Sequence, residues 1–332
     1  MNFLITEFCG LGNSILLSSL FKSLKQKSGN QITLVGDNKF SGITANEKNI
    51  YIDNSLIFKK KLGIIFDYVR ILKKIEVFII PVNSNPSLIF LIISILFYKR
   101  KLLISENLFK YMNFFKKKIL KTIIFLRKSH IIEIPYENNL HEIEMNYRYL
   151  NCVNSSNFKL PEIERSLYFN FPKDENCLKN FNLQPNSYII FQPFSANGLI
   201  TSKNWPLHNF SKLAESLIKK YPSQKIVLVG DLGDKKHFKN FLNHEKIINL
   251  ISKTNISQLI ELLKNSSLTI CHDSSLLHLS DSMNLKNISL FGQSNLSKNK
   301  PNNKNSIFIK KKTMQEISVV DVNEKIEILM NN

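Results

Sequence analysis

Glycine is scarce in this chain, with 10 residues among 332. That excludes a set of Gly-x-Gly-x-x-Gly loops as the main phosphate-binding device. Cysteine is scarcer, and the four present (Cys9, Cys152, Cys177 and Cys271) stand far apart. No Cys-x-x-Cys spacing exists, which excludes a zinc ribbon and a c-type haem site. Isolated thiols fit a reducing, cytoplasmic setting. There is one tryptophan, Trp205, and no Asp-x-Asp pair. Long apolar runs are missing too. The longest, residues 86–98, is broken by Ser87 and Ser94 and is shorter than the about 20 residues a membrane-spanning helix needs. The N-terminal MNFLITEFCG has neither a basic region nor a small-residue cleavage site, so no secretory leader is expected.

Acid is also in short supply: 26 Asp and Glu face 45 Lys and Arg, a net charge of +19. A basic surface attracts nucleic acid, anionic membrane or phosphorylated substrates. Lysine, asparagine and isoleucine are abundant throughout, as in AT-rich coding sequence, so most of the lysines read as a solvated exterior. One region stands apart. Lys99, Arg100, Lys101, Lys110, Lys116, Lys117, Lys118, Lys121, Arg127 and Lys128 are opposed only by Glu106. On a helix over residues 108–127, Phe114, Leu120 and Ile124 are expected to face inward. Lys110, Lys117, Lys121 and Lys128 recur on one face. Phe109, Tyr111, Phe115 and Phe125 either pack or reach toward lipid headgroups. An ordinary solvated amphipathic helix is the competing reading.

The order of patterns is that of parallel α/β domains. Residues 2–6 read as a strand, 13–27 as a helix and 31–35 as a strand. Helices over 62–74, 87–98 and 137–151 alternate with strands over 77–81 and 101–104. A looser stretch, 154–172, carries Pro161 and Pro172. After it come strands over 188–192, 225–229, 268–271 and 287–291. Helices over 206–221, 234–242, 256–263 and 274–283 alternate with them, and residues 293–305 read as a polar loop. The expected domains are 1–160 and 161–312. A tail, 313–332, has a helix over 322–330 that could cross back to the first half. The fold class expected is α/β, two Rossmann-like parallel-sheet domains whose strand ends face one cleft.

Three stretches carry a resemblance. The first is Ile5-Thr6-Glu7-Phe8-Cys9-Gly10-Leu11-Gly12-Asn13, then a helix. The second is Gln192-Pro193-Phe194-Ser195, followed by Ser202-Lys203-Asn204-Trp205-Pro206 and a helix. The third is His272-Asp273-Ser274-Ser275-Leu276-Leu277-His278-Leu279, followed by the strand ending Leu290-Phe291-Gly292. In order and spacing the chain resembles glycosyltransferase family 9, the ADP-heptose:lipopolysaccharide heptosyltransferases. That family reads Leu-Gly-Asp, His-Pro-Gly-Ala-Ser with Lys-x-Trp-Pro, and Asn-Asp-Thr-Gly-x-x-His-Leu at these places. The resemblance implies the GT-B architecture, with a nucleotide-sugar donor, ADP-heptose-like, in the C-terminal half. It implies an anionic glycan or glycolipid acceptor, such as lipopolysaccharide core, in the N-terminal half. No cofactor, metal or nucleic-acid partner is implied. Such an enzyme works in the cytoplasm, as a peripheral protein on the inner membrane.

Sugar transfer leaves a diphosphate whose charge must be held. Without Asp-x-Asp, a lysine and a helix N-terminus are the expected means. Lys203 is the candidate cation, with Ser195 and Thr201 offering hydroxyls. Asp273 either caps the helix after it or positions the donor, beside Ser274 and Ser275. His278, one turn on, meets phosphate or is a buried structural histidine, and His272 is read as structural. Asp231 and Asp234 are placed to hold ribose hydroxyls or to cap a turn. Gly10 and Gly12 allow close approach of an acceptor. Asn13 stands where the family has its catalytic aspartate, and an amide cannot take a proton at useful pH. Glu7 is the nearest replacement base, with Asp37 and Glu106 behind it. The alternative is a non-catalytic nucleotide-sugar-binding relative that has lost its base. A basic RNA- or membrane-associated protein without sugar chemistry is a third reading, and no RNA-binding motif supports it.

Overall fold

The computed structural model describes residues 1–36, 51–58, 62–81, 84–110, 112–153, 174–195, 201–238 and 241–331. Asp37, Tyr111 and the side chain of Thr201 lie outside the described residues. The chain divides into two units, Met1–Asn170 and Phe171–Asn332, later than the expected residue 160.

Among the described residues the first unit holds six strands: β1 (Asn2–Glu7), β2 (Gln31–Gly36), β3 (Asn54–Ile57), β4 (Val77–Ile80), β5 (Lys101–Ser105) and β6 (Ile131–Ile134). They form one parallel sheet in the order β3-β2-β1-β4-β5-β6. Its helices are α1 (Leu11–Lys25), α2 (Leu62–Leu72), α3 (Leu88–Phe97), α4 (Phe114–Leu126) and α5 (Glu142–Val153). Side chains alternate across the strands, so β1 sends Phe3 and Ile5 to one face and Leu4 to the other. Phe3, Ile5, Ile79 and Leu103 pack with α1 and α5. Leu4, Phe78, Ile80, Leu102 and Ile104 pack with α2, α3 and α4. Both faces are covered, which is why the middles of the inner strands are apolar runs.

The second unit repeats the plan. Its strands are β7 (Tyr188–Phe191), β8 (Lys225–Leu228), β9 (Ile247–Asn249), β10 (Leu268–His272), β11 (Asn287–Phe291) and β12 (Ser306–Lys310). The order is β12-β11-β10-β7-β8-β9, again all parallel. Its helices are α6 (Cys177–Asn180), α7 (Leu207–Lys220), α8 (Ile256–Lys264), α9 (Ser275–Ser282), α10 (Leu296–Asn299) and α11 (Val319–Met330). In each sheet the strand order reverses once, between β1 and β4 and between β7 and β10. Connections leave in opposite directions there, which opens a crevice beyond the strand ends.

Several expectations shift. The basic stretch is not one helix from residue 108. Glu106–Phe109 is a 3-10 turn, and α4 begins at Phe114, where Asn113 Oδ1 accepts the Lys116 N–H at 3.0 Å. Leu120 and Ile124 are buried as expected, but Phe114 is 73% exposed rather than inward, and Phe109 is buried. The stretch from 234 is a 3-10 turn, Leu232–His237. The polar loop 293–305 contains α10. The last helix starts at Val319, behind a Ser318–Asp321 capping box. Its Val322, Ile326 and Leu329 lie in the core of the second unit, packed on α7, β11 and β12.

Candidate active site

At the crevice of the second sheet, two of the quoted stretches meet. β7 runs into Gln192 and Ser195, and the chain re-enters through a 3-10 turn, Thr201–Lys203, before α7. β10, its neighbour, runs into Asp273 and Ser274 and then α9. Trp205 fixes the first of these loops. It is buried among Phe191, Phe210 and Leu213, and its Nε1–H donates to the Ile317 carbonyl at 2.8 Å. The tryptophan is thus an anchor, and it sets where Lys203 can reach.

Three bonds fasten the two stretches, and two more close the first of them on itself. Lys203 Nζ pairs with Asp273 Oδ2 at 2.8 Å, the carboxylate buried and the lysine partly exposed. Ser274 Oγ donates to Gln192 Oε1 at 2.5 Å. Asn204 Oδ1 accepts from Ser195, from its N–H at 2.8 Å and its hydroxyl at 2.9 Å. The Trp205 N–H donates to His272 Nε2 at 3.0 Å. That bond needs a lone pair on Nε2, which places the ring proton on Nδ1. Burial holds the His272 pKa down to about 3, so the ring is neutral across the physiological range. His272 is structural, as its place at the strand end suggested.

Asp273 does not cap α9. The N-cap residue is Ser274, and its hydroxyl is turned to Gln192, so no side chain caps the helix. The first-turn N–H groups of α9 therefore begin beside the Lys203–Asp273 pair without a side-chain acceptor. Ser274 and Ser275 stay partly exposed there, and His278 is buried one turn further on. The two aspartates after β8 act as turn caps. Asp234 is buried and its Oδ2 accepts the Asp231 N–H at 2.8 Å, while Asp231 Oδ1 accepts the Leu232 N–H at 2.7 Å. Asp231 keeps an exposed carboxylate at the strand end.

At the crevice of the first sheet lies a small, half-open recess of about 10 Å³, lined by Cys9, Asn13, Pro81, Ser84 and Asn146, with Leu16 and Leu17 behind. Ser84 Oγ lies 2.6 Å from Thr6 Oγ1 and accepts the Phe8 N–H at 3.1 Å, which ties β1 to the chain beyond β4. Asn13 belongs to the first turn of α1, whose N-cap, Gly10, offers no side-chain cap. Gly10 has an ordinary extended backbone, φ −76°, with nothing within 4 Å of a would-be Cβ. The fold does not require glycine there, and its lack of a side chain keeps the loop clear. Gly12 sits in the same helical turn, partly exposed. Glu7 ends β1 but is fully buried and does not line the recess. Glu106 caps elsewhere, its Oε2 accepting the Tyr136 N–H at 3.3 Å.

Gln192, Asn204, Ser84 and Asn146 were not given roles from the sequence. Gln192 and Asn204 stand inside the quoted stretches, so a donor–acceptor count across them would have found the staples. Ser84 and Asn146 are brought in only by folding.

Two tandem Rossmann-type sheets of identical strand order define the GT-B class of glycosyltransferases. The profile of glycosyltransferase family 9 (heptosyltransferase) matches residues 120–327, more than half of the chain, and the chain belongs to that family. It is similar to lipooligosaccharide heptosyltransferase 2 of Haemophilus influenzae, 30% identical over 97 residues, 27% of this chain and 28% of that protein. The Haemophilus ducreyi protein of the same name is 27% identical over 33% of each chain. The aligned part is thus about a third or less of these curated relatives. Over the whole fold, E. coli ADP-heptose lipopolysaccharide heptosyltransferase II superposes with a TM-score of 0.74 at 16% identity, covering 100% of this chain and 99% of that one. A family 9 glycosyltransferase from Veillonella parvula gives 0.76 at 17% identity, covering 99% and 97%.

Proposed function

We propose that the chain transfers a sugar, heptose-like, from a nucleoside-diphosphate donor to a lipopolysaccharide-core or other surface-glycan acceptor, with inversion and without a metal. One observation carries this: the Lys203 ammonium and the uncapped start of α9 meet at the crevice of the second sheet. A cation and free helix-end N–H groups are what a departing diphosphate requires. Ser195, Thr201, Ser274, Ser275 and His278 surround that point in sequence; the Ser195 and Ser274 hydroxyls would leave Asn204 and Gln192 to meet the diphosphate, and Asp231 is proposed for the ribose. Family membership and the ADP-heptose named for its E. coli fold relative favour an ADP-sugar. Metal independence is supported by the lack of an Asp-x-Asp pair.

In the proposed reaction an acceptor hydroxyl attacks the anomeric carbon from the face opposite the diphosphate. The carbon–oxygen bond to the diphosphate breaks with its electron pair going to the phosphate oxygen, next to Lys203. The hydroxyl proton passes to a base. Gly10, Gly12 and Asn13 receive the acceptor. Asn13 cannot serve as the base, and Glu7 is the nearest carboxylate in sequence; it is enclosed rather than in the recess, so its part as base stands or falls with the Glu7→Gln test below. The acceptor is lipid-linked, so the enzyme works in the cytoplasm on the inner membrane. Asn13 also favours a second reading, a nucleotide-sugar-binding relative without turnover.

Turnover and binding separate the two. The transferase reading expects ADP release from ADP-heptose that persists in excess EDTA and a product of inverted anomeric configuration. ADP binding with no turnover on any acceptor supports the second reading. Lys203→Met should weaken ADP binding by roughly ten- to a hundredfold, the worth of a charge-assisted hydrogen bond, and unchanged affinity would remove Lys203 from the site. Glu7→Gln should lower kcat with ADP affinity intact. A silent Glu7→Gln beside a gain of turnover in Asn13→Asp would return the base to the family position.

A further inference from the structure

The outer layer of the first unit has its polarity reversed. α4 buries Leu120 and Ile124, as any surface helix would. Opposite them, where solvent-facing charge belongs, it presents Phe114, Phe115, Ile119, Phe125 and Leu126. Phe115, Ile119 and Leu126 follow one another by four and seven residues, and Phe114 and Phe125, eleven apart, run beside them on the same outward face, so the five form one stripe. Phe115 is 75% exposed and Phe125 74%. Lys117 and Lys121 flank the stripe on one side and Lys116 on the other, all exposed, and no acidic residue occurs in α4. Lys118 lies within the stripe, on a stem long enough to carry its charge clear of apolar surroundings.

The stripe is not confined to one helix. α3, apolar along its length except for Ser94, packs beside α4 and exposes Ile89, Leu96 and Phe97. α2 packs beside α3 and exposes Phe66 at 70%. Beyond α3, Lys99 and Arg100 add exposed positive charge. Three neighbouring helices thus carry large apolar side chains outward, rimmed chiefly by lysine and arginine, with Asp67 beside Phe66 as the exposed acid of α2. Scattered apolar side chains on a surface need no explanation, but a face of them with a charged rim does.

We propose that the outward face of α2, α3 and α4 docks on an anionic lipid bilayer. Charge complementarity selects this occupant. A second copy would bring the same basic rim and the same net charge of +19 against itself. A bilayer of anionic lipid takes both features together, phosphates meeting the lysines and the headgroup–acyl boundary receiving the phenylalanines. The inference extends the proposed function by naming the surface, and it rests on that function only for which membrane is used. Because the docking face lies on the side of the first sheet away from α1, the recess at Asn13 stays outside it.

Co-sedimentation with vesicles tests it. The full chain should bind phosphatidylcholine vesicles containing phosphatidylglycerol and not phosphatidylcholine alone. Binding should fall steeply as salt rises, since screening shortens the reach of each charge. Lys116→Ser, Lys117→Ser and Lys118→Ser together should lower partitioning on the order of a hundredfold. Phe115→Ser with Phe125→Ser should lower it by at least about tenfold at unchanged charge. These side chains are exposed, so far-UV circular dichroism and ADP binding should be unaltered. Equal binding to neutral and anionic vesicles, no binding to either, or variants that bind like the parent would each overturn the proposal. The last two outcomes point to a protein partner for the face. Turnover on a delipidated acceptor in solution reports the transfer reaction alone, so loss of either property leaves the other measurable.

Discussion

At the scale of single residues, the crevice of the second sheet is arranged around buried groups. Trp205 and His272 are buried, and the bond between them sets the loop that carries Lys203. His272 has a consequence for stability. Its folded pKa is held at about 3 by burial, whereas an exposed histidine titrates near 6.5. Between those values the unfolded chain binds the proton and the folded chain does not. The stabilising contribution is therefore complete above about pH 6.5 and is lost as pH falls toward about 3, by up to about 1.4 kcal/mol per pH unit. Urea unfolding followed by Trp205 fluorescence should show this slope in the parent. It should flatten in His272→Gln, whose amide still accepts the Trp205 N–H. An equal slope in both would place the acid sensitivity elsewhere.

At the scale of elements, the ends of strands matter more than their middles. Gly292, just beyond β11, is one such end. A Cβ there would lie 2.7 Å from Met314 Cγ and 2.8 Å from the Met314 backbone nitrogen. The backbone nitrogen cannot move aside without shifting the 3-10 turn Met314–Glu316, and Ile317 just after it accepts from Trp205. Gly292→Ala should destabilise the second unit by about 1–3 kcal/mol, as overpacking does, read as an earlier Trp205 transition. The contrast with Gly10, where nothing lies within 4 Å, shows that the two glycines serve different ends. Asp281 is a second device at this scale. Its carboxylate accepts the N–H groups of Asn302 and Asn303 at 3.0 and 2.9 Å, holding the chain that leads to β12.

At the scale of the molecule, two units have two separate sets of cores, and the only tryptophan lies in the second. Unfolding need not be a single transition. Trp205 fluorescence reports the second unit, while far-UV circular dichroism reports both. ADP at a hundredfold excess over its Kd should add about 2.7 kcal/mol to whichever unit binds it. The fluorescence transition should therefore move up. A shift confined to the circular dichroism transition would place the nucleotide in the first unit and refute the proposed donor site.

The inner strands of both sheets are legible in the amino-acid order alone. β1, β2, β4, β5, β7, β8, β10 and β11 are covered on both faces, so each is a short run of apolar residues that stands out from its flanks. The four strands that order did not reveal, β3, β6, β9 and β12, are the sheet edges. They are short and half-covered, and residues such as Asn54, Ser55 and Glu133 break their pattern, so only pairing with a neighbour makes them strands. The site divides in the same way. Lys203, Asp273 and Ser274 were legible because their local stretches carry a motif. That Lys203 pairs with Asp273 across 70 residues, that Ser274 turns to Gln192 and leaves α9 uncapped, and that Glu7 is enclosed were decided by tertiary structure. So was the outward turn of Phe114. Helical period predicts which residues share a face, but which face meets the sheet depends on what the rest of the chain buries first.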